Sequence, residues 1–265
     1  MKFRFQRKYL AIPYILFFLF FIITPLFLII YYAFTDKATG AFSFVNLTKF
    51  FADKTNLNVL AISLTYGLIN TILCLLIGYP IAYLLADKKI NKSAVLVTLF
   101  IMPMWINFVI RTGATRDLLN WIGLSGGSYP ELTTIIGLVY NYLPFTILPL
   151  YSTMLKMDRN QIEASRDLGA NSFQTFVKVI IPMTMPGIIS AATMVFMPTI
   201  SSYVISDILS EYNVVLFGSY IDLYFNQNDW HFGSFMAFIM LLLIGLSIVI
   251  SRKFVKEDEG KESIW

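Results

Sequence analysis

Long apolar runs separated by short polar stretches dominate the sequence. Six of them are long enough, or nearly so, to cross a hydrocarbon core of about 30 Å at about 1.5 Å per helical residue. They cover residues 9–34, 59–86, 94–110, 133–154, 183–205 and 232–250. The pattern predicts an all-α, polytopic membrane protein with six transmembrane helices, organised as a single domain over residues 1–265. Three sizeable polar segments fall on one side: 35–58, 111–132 and 207–231. In the second of these, Ser125-Gly126-Gly127 has turn chemistry and Trp121 with Ile122 suits a short interfacial helix.

Residues 156–182 break the apolar pattern most clearly. Asp158 with Gln161 three positions on has capping-box form, Gly169 suits a left-handed helix stop, and Ser172 can start a second helix. Phe173, Phe176, Val177 and Ile180 then recur at helical spacing, and Pro182 is expected to close the helix. The segment reads as a helix-turn-helix hairpin, with Arg166-Asp167 beside its turn. It has the form of a docking surface for a partner at the membrane face.

Composition agrees with a membrane location: 57% of 265 residues are hydrophobic and the mean hydropathy is +0.68, above the roughly half apolar content of soluble domains. Orientation follows from Lys and Arg. Fifteen of them (Lys2, Arg4, Arg7, Lys8, Lys88, Lys89, Lys92, Lys156, Arg159, Arg166, Lys178, Arg252, Lys253, Lys256, Lys261) fall on one side, against five on the other (Lys37, Lys49, Lys54, Arg111, Arg116). The positive-inside rule then predicts cytoplasmic N- and C-termini, a cytoplasmic tail over 252–265 and a cytoplasmic hairpin. The first apolar run, at about 26 residues with no small-x-small site after it, reads as an uncleaved span. The acidic run Glu257-Asp258-Glu259 is expected in a disordered, solvated end. The net charge of +4 belongs to the inner loops and suits anionic headgroups of the lipid bilayer, with no argument for nucleic acid.

Chemistry of other kinds is missing from the sequence. No Asp, Glu, Lys, Arg or His lies inside the six predicted spans, the nearest being Arg111 and Asp207 at their outer ends, so no intramembrane charge relay is legible. A phosphate-binding glycine loop is absent, and the lone histidine, His231, leaves no catalytic triad or metal cluster to assemble. Cys74 is a packing residue inside the second span. No catalytic residue and no cofactor are expected in this chain, so uphill transport would need energy from another polypeptide. Pro25, Gly78, Pro80, Pro103, Pro144, Pro149, Pro186 and Pro198 interrupt the spans, which suits either helices lining a cavity or ordinary packing kinks.

The last outer segment carries Glu211, Asp222 and Asp229, with Asp207 at its entrance and no Lys or Arg, interleaved with Tyr203, Tyr212, Tyr220, Tyr224 and Trp230. An anionic, aromatic vestibule would concentrate a polycation, each cation-π contact contributing roughly 0.5–2 kcal/mol. Asp207, Tyr203, Trp105, Asn141 (with Tyr142) and Trp230 are candidates for a substrate path. The same residues also suit packing, helix-end solvation or an interfacial aromatic belt, and Asp222 and Asp229 suit solvated charges or contacts to a binding protein.

Glu163-Ala164-Ser165, Gly169 and Val179-Ile180-Ile181-Pro182 resemble the signature loop of permease subunits of ATP-binding-cassette importers. That loop has Glu-Ala-Ala, a Gly and an Ile-x-Leu-Pro end at these offsets; Ser165, Val179 and Ile181 depart conservatively. The resemblance implies the type I importer permease fold and a coupling role for Glu163, Ala164, Ser165, Arg166, Asp167, Gly169, Phe173 and Pro182 against a cytoplasmic ATPase. Phe196-Met197-Pro198, Ser202-Tyr203-Val204, Asp207-Ile208-Leu209, Asn228-Asp229-Trp230-His231-Phe232-Gly233, Met102-Pro103-Met104-Trp105 and Arg111-Thr112 resemble the spermidine/putrescine permease family, and their order suggests the first of its two permease subunits. Gly113-Ala114-Thr115 departs where aromatic residues are expected. The resemblance implies a bacterial inner-membrane importer with a second related permease subunit, two cytoplasmic ATPase subunits that bind ATP and Mg, and an extracytoplasmic polyamine-binding protein. Importers of an anion, a sugar or a metal chelate stay open as alternatives, as does an ion-coupled carrier or channel.

Overall fold

Apart from one isolated antiparallel bridge between Thr35 and Phe42, every regular element among the described residues is a helix. The computed structural model describes residues 11–87 and 95–262. Lys2, Arg4, Arg7, Lys8, Lys88, Lys89 and Lys92, and the predicted starts of the first and third spans, lie outside the described residues.

Four helices are long and apolar enough to cross a membrane: α1 (Ala11–Ala33), α3 (Lys54–Ala86), α6 (Pro130–Leu155) and the first 22 residues of α12 (Trp230–Glu262). Between α1 and α3 lies the short α2 (Val45–Ala52). Two bent pairs of helices are long and apolar enough only when each pair is taken together. α4 (Val95–Trp105) meets α5 (Phe108–Trp121) at 97°, and α8 (Ser172–Met183) meets α9 (Met185–Ser201) at 67°. The hairpin helix α7 (Arg159–Asp167), α10 (Val204–Leu209) and α11 (Phe217–Asn226) complete the set. Counting each bent pair as one span gives the expected six, but the third and fifth are bent by 97° and 67°, beyond the kinks that Pro103, Pro186 and Pro198 led one to expect. Trp121 ends α5 and starts no interfacial helix, and the chain beyond residue 250 continues α12 as helix to Glu262, where a disordered end was expected.

Each break has a local cause. Asn107 sits in extended backbone and its Oδ1 accepts from the amides of Val109 (2.9 Å) and Ile110 (3.4 Å), capping α5 and ending the turn at Met102–Trp105. Prolines act differently. In α1 and α8 the turns at Leu19–Ile23 and Phe176–Ile180 widen so that Thr24 and Ile181 donate to carbonyls five residues back. The next residue is Pro25 or Pro182, whose ring would crowd the carbonyl four residues back, and the wider turn relieves that clash. Pro182 therefore lies within α8; the helix stops two residues later at Thr184, whose hydroxyl donates to the Ile180 carbonyl and pairs with the Tyr79 hydroxyl at 2.8 Å.

The described residues form two compact units. In the first (residues 11–57 and 220–243), Phe34 meets Phe42, Phe44, Phe235 and Phe238 at ring separations of 5.2–6.1 Å, and Phe50 meets Phe235 at 6.0 Å. The Asn46 amide donates to the Ala33 carbonyl at 3.0 Å, tying α2 to the end of α1. The Asp36 carboxylate accepts from the amides of Ala38 and Thr39, and these bonds hold it below the ordinary carboxylate range.

In the second unit (residues 58–219 and 244–262), α9 packs along α6, while α10 packs on α5 and α6. Ala82, Leu85, Ile147, Leu150, Met154 and Ala191 form one apolar core and Leu119, Leu138, Ile205 and Leu209 another. Between lipid-solvated helices, small residues and hydroxyl bonds carry much of the association. Gly137 lets the Leu209 side chain lie directly over the α6 backbone, where a Cβ would overlap it. Asn70 donates to Thr199 at 2.7 Å, Tyr142 to the Pro198 carbonyl at 3.2 Å and Thr133 to the Leu209 carbonyl at 2.9 Å.

Candidate functional site

The hairpin is built as its capping residues dictate, with one change of partner. The Asp158 carboxylate caps α7 through the Asn160 amide, whereas the full capping box belongs to Asn171 and Gln174 at the start of α8, each side chain accepting from the other's backbone amide. Gly169 has φ +83, its amide bonds the Arg166 carbonyl and the Ala170 amide bonds the Ser165 carbonyl. That is the left-handed stop expected of the glycine.

Two bonds fix the hairpin to its surroundings. Ser165 is half-buried and its hydroxyl pairs with that of Thr175 at 3.0 Å, clasping α7 to α8. Arg159 reaches the Ala86 carbonyl at the end of α3 (3.3 Å) and the Asp87 carboxylate (3.6 Å), a cation where the helix dipole favours one. Glu163, Ala164, Arg166 and Asp167 are exposed. The apolar stripe of α8 does not share one face. Phe173 is 74% exposed while Ile180 and Thr175 are buried, because the widened turn at 176–180 shifts the register that a regular 3.6-residue period would give. Phe173 and Val177 instead project outward, and Leu168 is 89% exposed at the turn.

The substrate-path candidates divide. Trp105 and Asn141 come together on a crevice of about 480 Å³ with Asn107, Phe108, Arg111, Tyr142, Phe145 and Ile205. Tyr203 and Asp207 are not among its walls; Asp207 is half-buried on α10 and accepts from the Ser219 hydroxyl at 2.8 Å. Trp230 belongs to the other unit and packs on Phe225 at 5.3 Å.

Arg111 was read as an outer-loop charge, and the structure corrects this. Because the chain turns by 97° before α5, Arg111 lies in a buried position on the crevice wall, 8% exposed. Its Nε and Nη2 donate to Asn141 Oδ1 at 3.0 and 2.6 Å, its Nη1 donates to the Pro103 carbonyl at 2.7 Å, and the guanidinium lies 5.6 Å from the Tyr140 ring. One side chain thus ties the α4–α5 break to α6. The sequence signals were an N-cap residue, Asn107, inside an apolar run and a charge just past it.

A second correction concerns the acidic outer segment. Asp229 was counted as part of a segment free of Lys and Arg, yet Lys49 reaches it from α2 at 3.2 Å. Among the described residues no three His, Cys, Asp or Glu side chains converge as metal ligands.

Residues 4–258 match the model of a family described as "Binding-protein-dependent transport system inner membrane component". The chain is 36% identical over 224 residues to the spermidine/putrescine transport system permease protein PotB of Escherichia coli (strain K12), covering 79% of this chain and 81% of the relative. To the protein of the same name from Haemophilus influenzae it is 39% identical over 203 residues, 71% of each chain. Among solved structures, a bacterial ABC transporter involved in import of the acidic polysaccharide alginate superposes with a TM-score of 0.63 at 18% identity over 93% of this chain and 94% of that one. The alginate transporter in complex with its pentasaccharide-bound periplasmic protein gives 0.64 at 15%, over 92% and 91%. These two structures bear on the fold alone.

Proposed function

Because the chain belongs to the family of binding-protein-dependent transport system inner membrane components, we propose that it is a permease subunit of an ATP-driven polyamine importer, acting as one permease domain in a bacterial inner membrane. The observation that carries the cargo is its likeness, over most of its length, to permeases named for spermidine and putrescine transport. The distribution of Lys and Arg supports a cytoplasmic hairpin and cytoplasmic termini. A second related permease would supply the other half of the path, an extracytoplasmic binding protein would deliver the polyamine, and two cytoplasmic ATPase subunits would bind ATP and Mg. This chain then hydrolyses nothing.

In this reading the ATPase seats the exposed end of the hairpin: Leu168, Phe173 and Val177 as apolar contacts, Glu163, Arg166 and Asp167 as charged ones. Closure of the ATPase pair pushes on α7 and α8. The Ser165–Thr175 clasp keeps the two helices together, and Arg159 passes the displacement to the end of α3. Movement of α8 reaches α9 through the bend at Thr184, a rigid-body rocking of packed helices.

One observation favours a second cargo class: Arg111 places a cation on the crevice wall, as an importer of anions would need. Proteoliposomes holding the full assembly separate the two. ATP-driven uptake of labelled spermidine that excess putrescine blocks and sulfate leaves unchanged supports the polyamine reading; uptake of sulfate or phosphate in preference to spermidine overturns it.

A further inference from the structure

In the first unit, a lysine ammonium lies against two aromatic rings and a carboxylate. Lys49 Nζ lies 4.0 Å from the centroid of the Phe232 ring and 5.5 Å from that of Tyr224, and pairs with Asp229 Oδ2 at 3.2 Å. The two rings meet edge to face at 4.7 Å, and Tyr220 backs Tyr224 at 5.3 Å. Aromatic faces with one carboxylate are the means by which proteins hold organic cations.

The backbone positions each wall. α11 ends in a left-handed turn at Asn228, φ +58, with the Asp229 amide on the Tyr224 carbonyl. That stop sets Asp229 beside the ring of Tyr224, while Phe232, in the first turn of α12, is 1% exposed. One residue before Asp229, the Asn228 carbonyl accepts from Lys37 Nζ at 3.2 Å. Two ammonium groups therefore rest on adjacent residues of one turn.

We propose that Tyr224, Asp229 and Phe232 form a primary-ammonium site that the aminobutyl end of the cargo takes by displacing Lys49. The inference rests on the polyamine reading for the identity of the cargo. The chemistry is matched: a lysine side chain is four methylenes ending in an ammonium, the same group that ends a four-carbon diamine. Lys49 is a tethered stand-in for the ligand. Its side chain keeps 47% of its exposure and that of Asp229 26%, so the pair is of the exposed kind that contributes little to stability and separates readily. An occupied site binds cargo more weakly by the fraction of time it is free. The latch thus lets go of the site when polyamine is delivered at high local concentration and refills it afterwards.

The test uses the assembled complex in detergent, with putrescine as the probe. Amine-reactive labelling of the wild type should show the ratio of Lys49 to Lys54 labelling rising as putrescine is added, the exposed Lys54 correcting for reagent that the diamine consumes; an unchanged or reduced ratio overturns the proposal. Lys49→Met should tighten putrescine binding about three- to tenfold, since the free fraction rises toward one. Lys49→Arg should not, and adding Asp229→Asn to Lys49→Met should abolish the gain. Equal affinity for wild type and Lys49→Met overturns the latch. Failure of the function reading looks different: a complex that exposes Lys49 to putrescine yet imports no polyamine keeps the ammonium site and loses the cargo.

Discussion

Asn141→Leu should destabilise the protein more than Arg111→Met, although the arginine makes more bonds. Asn141 Oδ1 accepts two of the three hydrogen bonds of a guanidinium that is 8% exposed. Removing the acceptor leaves that cation buried with only the Pro103 carbonyl, and losing one partner of a buried charged cluster costs about 3–5 kcal/mol. Arg111→Met takes the charge away with its desolvation cost. What remains is an amide oxygen and a carbonyl, each short of a donor at the wall of a crevice water can enter, a loss of about 1 kcal/mol. With Arg111 already replaced, Asn141→Leu should add only about 1 kcal/mol, so the double-mutant cycle should show roughly 2–4 kcal/mol of coupling. Thermal unfolding of the purified complex, followed by intrinsic fluorescence, reads this as a fall of roughly 6–12 °C for Asn141→Leu against a few degrees for Arg111→Met. Additive losses, or a larger loss for Arg111→Met, would refute the view that the amide is there to hold the cation.

Other expectations concern the hairpin and the outer turn. Gly169→Ala meets no steric obstacle, since nothing lies within 4 Å of the added carbon, yet forces an L side chain to φ +83. The cost is about 1–2 kcal/mol, so ATPase subunit retention on purification should weaken several-fold, and Gly169→Asn should recover part of it. Phe173→Glu, on a fully outward side chain, should abolish co-purification of the ATPase while leaving the melting temperature of the permease unchanged. The Asp36 turn should be acid-labile. Its carboxylate titrates below the ordinary 3.8 because folded amides bond the charged form, so the turn is at full strength above that pH and loosens as pH falls through the lower folded value. Hydrogen exchange at Ala38 and Thr39 would report it.

How much the sequence disclosed depended on whether a feature was local. The hairpin was legible because Gly169 and Asp158 act within a turn of their own positions; Ser172 starts α8 as expected, while its cap, Asn171, had not been singled out. The spans were legible from their length and hydropathy. Their breaks were not, because a single Asn107 or Thr184 disappears in an apolar average while redirecting the backbone by 97° or 67°. Missing the first break put Arg111 in a loop, when the turn before α5 carries it back against Asn141. The stripe on α8 failed for a related reason: Pro182 widens the preceding turn, and a pattern counted at 3.6 residues per turn assigns Phe173 to the wrong side. The Lys49–Asp229 pair is 180 positions apart along the chain, and no period or motif links such residues before the fold does.

The central claim is that this chain forms part of a transport path and takes its energy from an ATPase held at the hairpin. It is tested most directly by spermidine uptake into proteoliposomes that hold either the full assembly or this chain alone. The account predicts ATP-dependent accumulation by the assembly, lost with Phe173→Glu, and none by the chain alone. Nucleotide-independent accumulation by the isolated chain, or undiminished uptake with Phe173→Glu, would contradict it.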